Sequence, residues 1–181
     1  MHKQRHYPIG AEVTNNGVHF RVWAPAAQKV HVIIKNNPEK FVMTQEQDGY
    51  QSLMIPSIKP GDLYQFQLDD DEHLYPDPAS RAQPKGPHGP SMVIDSSTFI
   101  WSDEEWQGVQ NQNNVIYEMH IGTFTRTGTF RAAAQEFDEL VKLGITIIEL
   151  MPVNEFDGDF GWGYDGVDLY APYHAYGTPD D

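Results

Sequence analysis

The chain has no cysteine, which removes disulfide staples, thiolate metal ligands and a cysteine nucleophile, and fits a reducing compartment. Basic residues are scarce as well, with 12 Lys and Arg against 26 Asp and Glu for a formal charge of −14. Such a surface repels phosphate backbones and anionic lipid, so neither nucleic acid nor a membrane is an expected partner. Long apolar runs are also missing. Nothing reaches the roughly 20 apolar residues of a membrane span, and the basic start Met1-His-Lys-Gln-Arg-His-Tyr7 lacks the apolar segment of a signal peptide. The expected location is the cytoplasm. What remains is 181 residues, 39% hydrophobic and 12% aromatic, enough for a real core in one large domain or two small ones.

The first seventy residues alternate with period two. Val18, Phe20 and Val22 share one face, as do Val30, Val32 and Ile34, and again Tyr64, Phe66 and Leu68. Asn16-Gly17, Asn37-Pro38, Asp48-Gly49 and Pro60-Gly61 punctuate them, the first suited to the φ > 0 positions of a tight hairpin. Short strands at this spacing predict an antiparallel β-sandwich of the immunoglobulin-like kind. From 76 to 90, five prolines and two glycines leave few backbone donors, which predicts an extended connection.

A polar stretch, 101–114, then leads to the strand-like Val115-Ile-Tyr-Glu-Met-His-Ile121. Thr129 can cap one helix whose apolar stripe is Phe130, Ala133, Ala134, Phe137, Leu140 and Val141, with Gly144 at its left-handed end. Ile145-Thr-Ile-Ile-Glu-Leu-Met151 is apolar on both faces, as a covered strand must be, and Pro152 ends it. Strand, helix and strand this close together predict a βαβ unit, the opening of a parallel barrel. Domains are expected at 1–98, the sandwich with its Pro-rich connection, and at 99–181, the start of a (β/α)8 barrel. A full barrel takes about 250 residues, so the chain is expected to be truncated after strand two.

The loop Gly161-x-Gly163-x-x-Gly166 spells a dinucleotide fingerprint, but that motif needs a helix starting inside the glycines to receive a pyrophosphate. The residues after it, with Pro172 and Gly177, have no helical spacing, and no cofactor is expected. Trp162, Tyr164, Tyr170, Tyr173, His174 and Tyr176 crowd the end of a barrel strand, where such barrels place their sites. Flat rings there suit sugar faces, and they suit ordinary loop packing equally well. Glu149, Glu155, Asp157, Asp159, Asp165 and Asp168 could supply an acid and base pair. The plainer reading has Asp157 and Asp159 as solvated turn charges and Glu149 as a hydrogen-bonded core group. None of the eight histidines forms an HExxH pattern, and no metal site is expected.

Three stretches carry a resemblance. They are Tyr75-Pro-Asp-Pro-Ala-Ser-Arg-Ala-Gln-Pro-Lys-Gly-Pro-His-Gly-Pro-Ser91, Tyr117-Glu-Met-His-Ile-Gly-Thr-Phe-Thr125 with Gly128-Thr-Phe130, and Leu143-Gly to Pro152 running on through Gly161-Trp-Gly-Tyr-Asp-Gly-Val167 to Tyr176-Gly-Thr-Pro-Asp-Asp181. Together they resemble the N-terminal portion of the α-amylase superfamily, glycoside hydrolase family 13, in its α-glucan-processing group with a preceding β-sandwich. The sandwich, with Gly10-Ala-Glu-Val13 and Phe20-Arg-Val-Trp-Ala-Pro25, resembles carbohydrate-binding module family 48. Branching and isoamylase-type debranching enzymes share most of these features. The Pro-rich connection and Asp165, where a branching enzyme more often has an amide, favour the trehalose-releasing members.

The resemblance implies retaining hydrolysis of an α-1,4 glucosidic bond by a carboxylate nucleophile and a second carboxylic acid, both on barrel strands four and five, so no catalytic residue is expected in this chain. Of the family's site residues, only the Tyr that stacks under the sugar maps here, onto Tyr164, with Trp162 and Asp165 as neighbours. The implied partner is an α-glucan or maltooligosaccharide, bound weakly or not at all by the fragment. A different class remains open: a stand-alone glucan-binding module using Trp23, Trp101, Trp106 and Trp162 as platforms. The unclosed barrel edge is a further surface for self-association.

Overall fold

In the computed structural model, which describes residues 5–109 and 112–181, the period-two segments become pleated strands with one buried face. The basic residues 1–4 and part of the polar stretch before Val115 lie outside the described residues. Strands β1 (Gly10–Thr14), β2 (Gly17–Trp23), β3 (Val30–Ile34), β4 (Lys40–Val42), β5 (Thr44–Gln45), β6 (Tyr50–Ile55), β7 (Leu63–Leu68) and β8 (Ser91–Met92) divide into two antiparallel sheets, ordered β1-β2-β6-β5 and β4-β3-β7-β8. Val18, Phe20 and Val22 of the first meet Val30, Val32, Ile34, Tyr64 and Phe66 of the second in one buried cluster. Phe20 and Tyr64 pack edge-on with ring centres 4.8 Å apart. This is the β-sandwich that the alternation predicts.

One polar side chain crosses the sandwich interior. Gln51 of β6 accepts from Val30 N–H (3.1 Å) and donates to the Ala27 carbonyl (3.2 Å), so its buried amide is satisfied at both ends. The first hairpin differs from expectation in its turn. Its central residues are Asn15 and Asn16, closed by the Thr14–Gly17 pair, and of Asn16 and Gly17 only the glycine has positive φ (+120°). A Cβ on Gly17 would lie 2.4 Å from the Ile55 carbonyl oxygen, so close strand approach, as much as the dihedral, demands glycine there.

The Pro-rich connection is a buried brace rather than an extended linker. Asp77, Ala79, Ser80, Ala82 and Gln83 are all buried. Asp77 accepts from the Tyr64 hydroxyl (2.6 Å) and the Ala79 N–H (2.8 Å), and its own N–H donates to Ser91 Oγ (2.9 Å). Ser80 Oγ donates to the Ala82 carbonyl, and Gln83 reaches the Pro87 carbonyl and Asp168. Prolines remove backbone donors, so polar side chains take over the hydrogen bonding that a strand would have supplied.

Beyond it, β9 (Ile116–Met119) and β10 (Ile147–Leu150) pair in parallel, joined through helices α1 (Ile121–Phe124), α2 (Phe130–Gln135) and α3 (Phe137–Leu143). The single helix expected from Thr129 onward is broken at Glu136 (φ −95°, ψ −1°). Its ends are as anticipated: Thr129 Oγ1 accepts from Ala132 N–H, and Gly144 is left-handed at φ 95°. Only Ala133 and Leu140 of the stripe are fully buried, and Val141 is exposed. Likewise β10 is not covered on both faces, because nothing in the described chain packs against its outer side; Val115, Ile116, Leu143 and Leu150 stand exposed. Strands β11 (Asn154–Glu155) and β12 (Asp168–Pro172) form a separate antiparallel pair with a bulge. No helix among the described residues is long and apolar enough to cross a membrane.

Candidate functional site

Between β11 and β12 the loop 156–167 presents Trp162 and Tyr164 to solvent, 74% and 68% exposed, with Asp165 exposed beside them. All three residues expected to meet substrate are thus brought to one loop, and none is used in a hydrogen bond, ion pair or ring contact with another described residue. The backbone beneath them is fixed. His120, at the C-terminal end of β9, places Nε2 2.9 Å from the Gly161 carbonyl oxygen and 3.0 Å from the Tyr176 hydroxyl. Donation to a carbonyl requires hydrogen on Nε2, which sets the tautomer. Its Nδ1 is buried with no partner among the described residues. At Gly163 (φ +86°) an added Cβ would lie 2.1 Å from the Pro152 carbonyl oxygen, so the loop passes directly over the end of the preceding strand and only glycine permits it.

The aromatic cluster separates into two roles. Tyr173 and Tyr176 are buried: Tyr173 stacks on Phe156 at 4.1 Å, and Tyr176 packs edge-on against Phe130 and His120. For these, ordinary packing is the answer. Trp162, Tyr164 and Tyr170 remain open to solvent. After the three glycines comes strand β12, not a helix, so the fingerprint lacks the helix N-terminus that would hold a pyrophosphate.

Carboxylates also sort by burial. Asp157 and Asp159 are exposed turn residues as anticipated, and Asp157 stands 3.7 Å from His88. Glu149 is the correction: it is exposed on β10 and hydrogen-bonds nothing described, because the face it occupies is uncovered. Glu155 and Asp168, facing each other across β11 and β12, are both buried. Glu155 accepts from the His174 backbone N–H (2.8 Å) and from its Nδ1–H (2.9 Å). Burial, with Glu155 nearby, pushes the Asp168 carboxyl above the ordinary range against the pull of Gln83. Neither Glu155 nor Asp168 sits in a distinguishing sequence pattern; only the neighbouring Pro and aromatic residues hint at their cover. No group of three or more His, Asp or Glu among the described residues is arranged to hold a metal ion.

The sandwich agrees with the family comparison: residues 8–80 match the model of carbohydrate-binding module 48 (isoamylase N-terminal domain). The chain is also 44% identical over 171 residues to the malto-oligosyltrehalose trehalohydrolase of Saccharolobus solfataricus, covering 94% of this chain and 30% of that protein. A more distant relative is the 1,4-alpha-glucan branching enzyme GlgB of Corynebacterium jeikeium, 34% identical over 193 residues, with 99% of this chain and 27% of that one covered. Among solved structures, one from Salmonella typhimurium, named only provisionally as an alpha amylase, superposes with a TM-score of 0.90 at 45% identity over 97% of this chain and 30% of its own length. The resemblance to α-amylase-family enzymes with a leading sandwich is therefore real, and this chain spans about 30% of the length of such relatives.

Proposed function

We propose that the chain is the N-terminal portion of a cytoplasmic malto-oligosyltrehalose trehalohydrolase. In this reading residues 1–98 are the sugar-associated sandwich, and residues 99–181 are the first βαβ unit of a (β/α)8 barrel. The single observation carrying it is the loop in which Trp162, Tyr164 and Asp165 stand exposed above a backbone clamped by His120 and Gly163. A rigid backbone with free rings is what stacking on a pyranose face requires, because little order is lost on binding. Identity to a trehalohydrolase at 44%, against 34% for a branching enzyme, favours the first over the second.

In this reading the chain contributes substrate contacts and no cutting group. Retention needs two carboxyl groups about 5–5.5 Å apart, flanking the scissile bond; here Glu155 and Asp168 are sealed from solvent and Asp165 sits exposed on a loop. Incubated with maltooligosyl trehalose, the purified chain is expected to release no trehalose, and release by a preparation free of other glycosidases overturns the assignment. Tyr164→Ala is expected to weaken maltoheptaose binding at the loop by about tenfold, followed through the Trp162 indole resonance.

A second reading concerns assembly, and the uncovered residues Val115, Ile116, Leu143 and Leu150 favour it. An open strand pair with an apolar flank recruits a partner strand or surface. Sedimentation at micromolar concentration is expected to show species larger than a monomer; a single monomeric boundary at all concentrations excludes this.

A further inference from the structure

We infer that residues 5–9 form a strap across the outer face of the first sheet, seated at neutral pH by a contact from Arg5 to His19 and released when His19 takes up a proton. Val18, Phe20 and Val22 point into the sandwich, so His19 and Arg21 face outward. There the Arg5 side chain is nearly enclosed, 14% exposed. It donates from Nε to the Tyr7 carbonyl (2.6 Å), from Nη2 to the Gly10 carbonyl (2.5 Å) and from Nη1 to the His19 carbonyl (2.9 Å). The same Nη1 lies 2.8 Å from His19 Nδ1.

That last contact fixes the state of the imidazole. A guanidinium only donates, so Nδ1 is the acceptor and His19 is neutral with its hydrogen on Nε2. A proton on Nδ1 would set two donors and two cations against each other at hydrogen-bond distance. Seat and proton therefore exclude each other. The strap also reaches the brace: the Arg81 guanidinium lies 3.7 Å over the Tyr7 ring, the Tyr7 hydroxyl is 3.2 Å from Ser96 Oγ, and the Pro8 carbonyl accepts from Arg21. Losing the Arg5 anchor loosens this tie between the first sheet and the brace.

The groups around His19 set the direction of the switch. Burial and then the Arg5 charge hold its imidazole below the usual value of about 6.5; Glu46, just after β5, and Glu12 of β1 pull the other way, and Arg21 adds to Arg5. The β6 residue paired with His19 is the uncharged Met54. The folded chain thus binds this proton more weakly than the unfolded one, so the contribution to stability is fully present above about pH 6.5 and is lost as pH falls through the lower folded value. Glu12, despite its burial, is held below the ordinary carboxylate range by the N–H groups of His6 and Tyr7 and stays ionised over this interval. Two more ionisable groups bear on the strap. His6 Nδ1 stands 3.0 Å from Glu12 Oε1, and a proton there tightens the hold. Asp77 acts on Arg5 through its charge, and its protonation loosens the hold.

The experiment follows the whole chain by proton NMR from about pH 7.5 to about pH 5, reading His19 Cε1–H and the Tyr7 ring protons. As His19 titrates, the Tyr7 signals are expected to lose the displacement due to Arg81 and move to free-tyrosine positions with the same midpoint, while the amides of Phe20 and Val22 stay native. In His19→Asn, whose amide oxygen replaces Nδ1 as an acceptor at every pH, Tyr7 is expected to keep its native position throughout. In His6→Gln and Asp77→Asn the transition is expected to remain. Tyr7 signals that stay still while His19 titrates overturn the strap, as does an imidazole that takes up no proton before the chain unfolds. A transition that persists in His19→Asn, or disappears in either control, assigns release to another group and overturns the role of His19. Should His19→Asn fail to fold, the coincidence of the two midpoints in the native chain and in both controls decides.

Discussion

Phe20→Ala is expected to cost about 3–5 kcal/mol, the ordinary loss for truncating an enclosed ring of the sandwich core. Phe20 is wholly buried in β2, edge-on to Tyr64 at 4.8 Å, and sits where the two sheets face each other. Removing the ring leaves a void walled by both sheets, which cannot close without shifting strands fixed by pairing on either side. In a chain of this length that corresponds to a melting temperature lower by about 10 °C. Three residues on, Trp23 is larger but points out, 58% exposed with its Nε1–H on the Asp48 carbonyl, and Trp23→Ala is expected to cost about 1 kcal/mol. Differential scanning calorimetry of the two variants reads the strand's register. Equal losses would mean that β2 does not alternate as described.

The second large effect is a pH dependence centred on Asp77. Burial raises its carboxyl from 3.8 to about 6, opposed by the Tyr64 hydroxyl and Ala79 N–H bonds and by Arg5, and reinforced by Asp168. The folded state therefore holds this proton more tightly than the unfolded chain does. Its contribution to stability is fully present below pH 3.8 and is lost as pH rises through about 6. The interval corresponds to about 3 kcal/mol. Other carboxylates act oppositely: Glu12 is lowered by its hydrogen bonds to His6 and Tyr7, and Asp181 by those to Thr178. The clean measurement is thus a difference. Stability of the native chain minus that of Asp77→Asn, from urea unfolding, is expected to fall by about 2 kcal/mol between pH 4 and pH 7. A flat difference would show that Asp77 remains as acidic in the fold as in the open chain.

The sandwich was readable because period-two alternation at Val18, Phe20, Val22 and Val30, Val32, Ile34 has one physical outcome. Gly144 and Thr129 were equally plain, since a left-handed end and a capping hydroxyl depend on their own residue and its neighbours. The break at Glu136 has no such local signature: the stripe from Phe130 to Val141 is continuous in the sequence, while only Ala133 and Leu140 find full cover. Residues 76–90 were misleading for a related reason. Proline content reports lost backbone donors, but it is silent on whether Asp77, Ser80 and Gln83 will replace them from the side. As for the candidate site, Trp162, Tyr164 and Asp165 were singled out through family likeness. The clamp from His120 to Gly161 spans 41 positions in sequence, so no short motif could contain it.

The family match closes at residue 80, yet the second sheet is still being assembled there. Strand β8 pairs with β7, Gly61 N–H reaches the Val93 carbonyl and Val93 N–H returns to Asp62. Val93 itself is wholly enclosed. Anyone transplanting this module into another protein by the matched boundary would unzip the edge strand and leave Tyr64 and Asp77 with an open seam beside them. The shortest graft that keeps the wall intact runs through Val93.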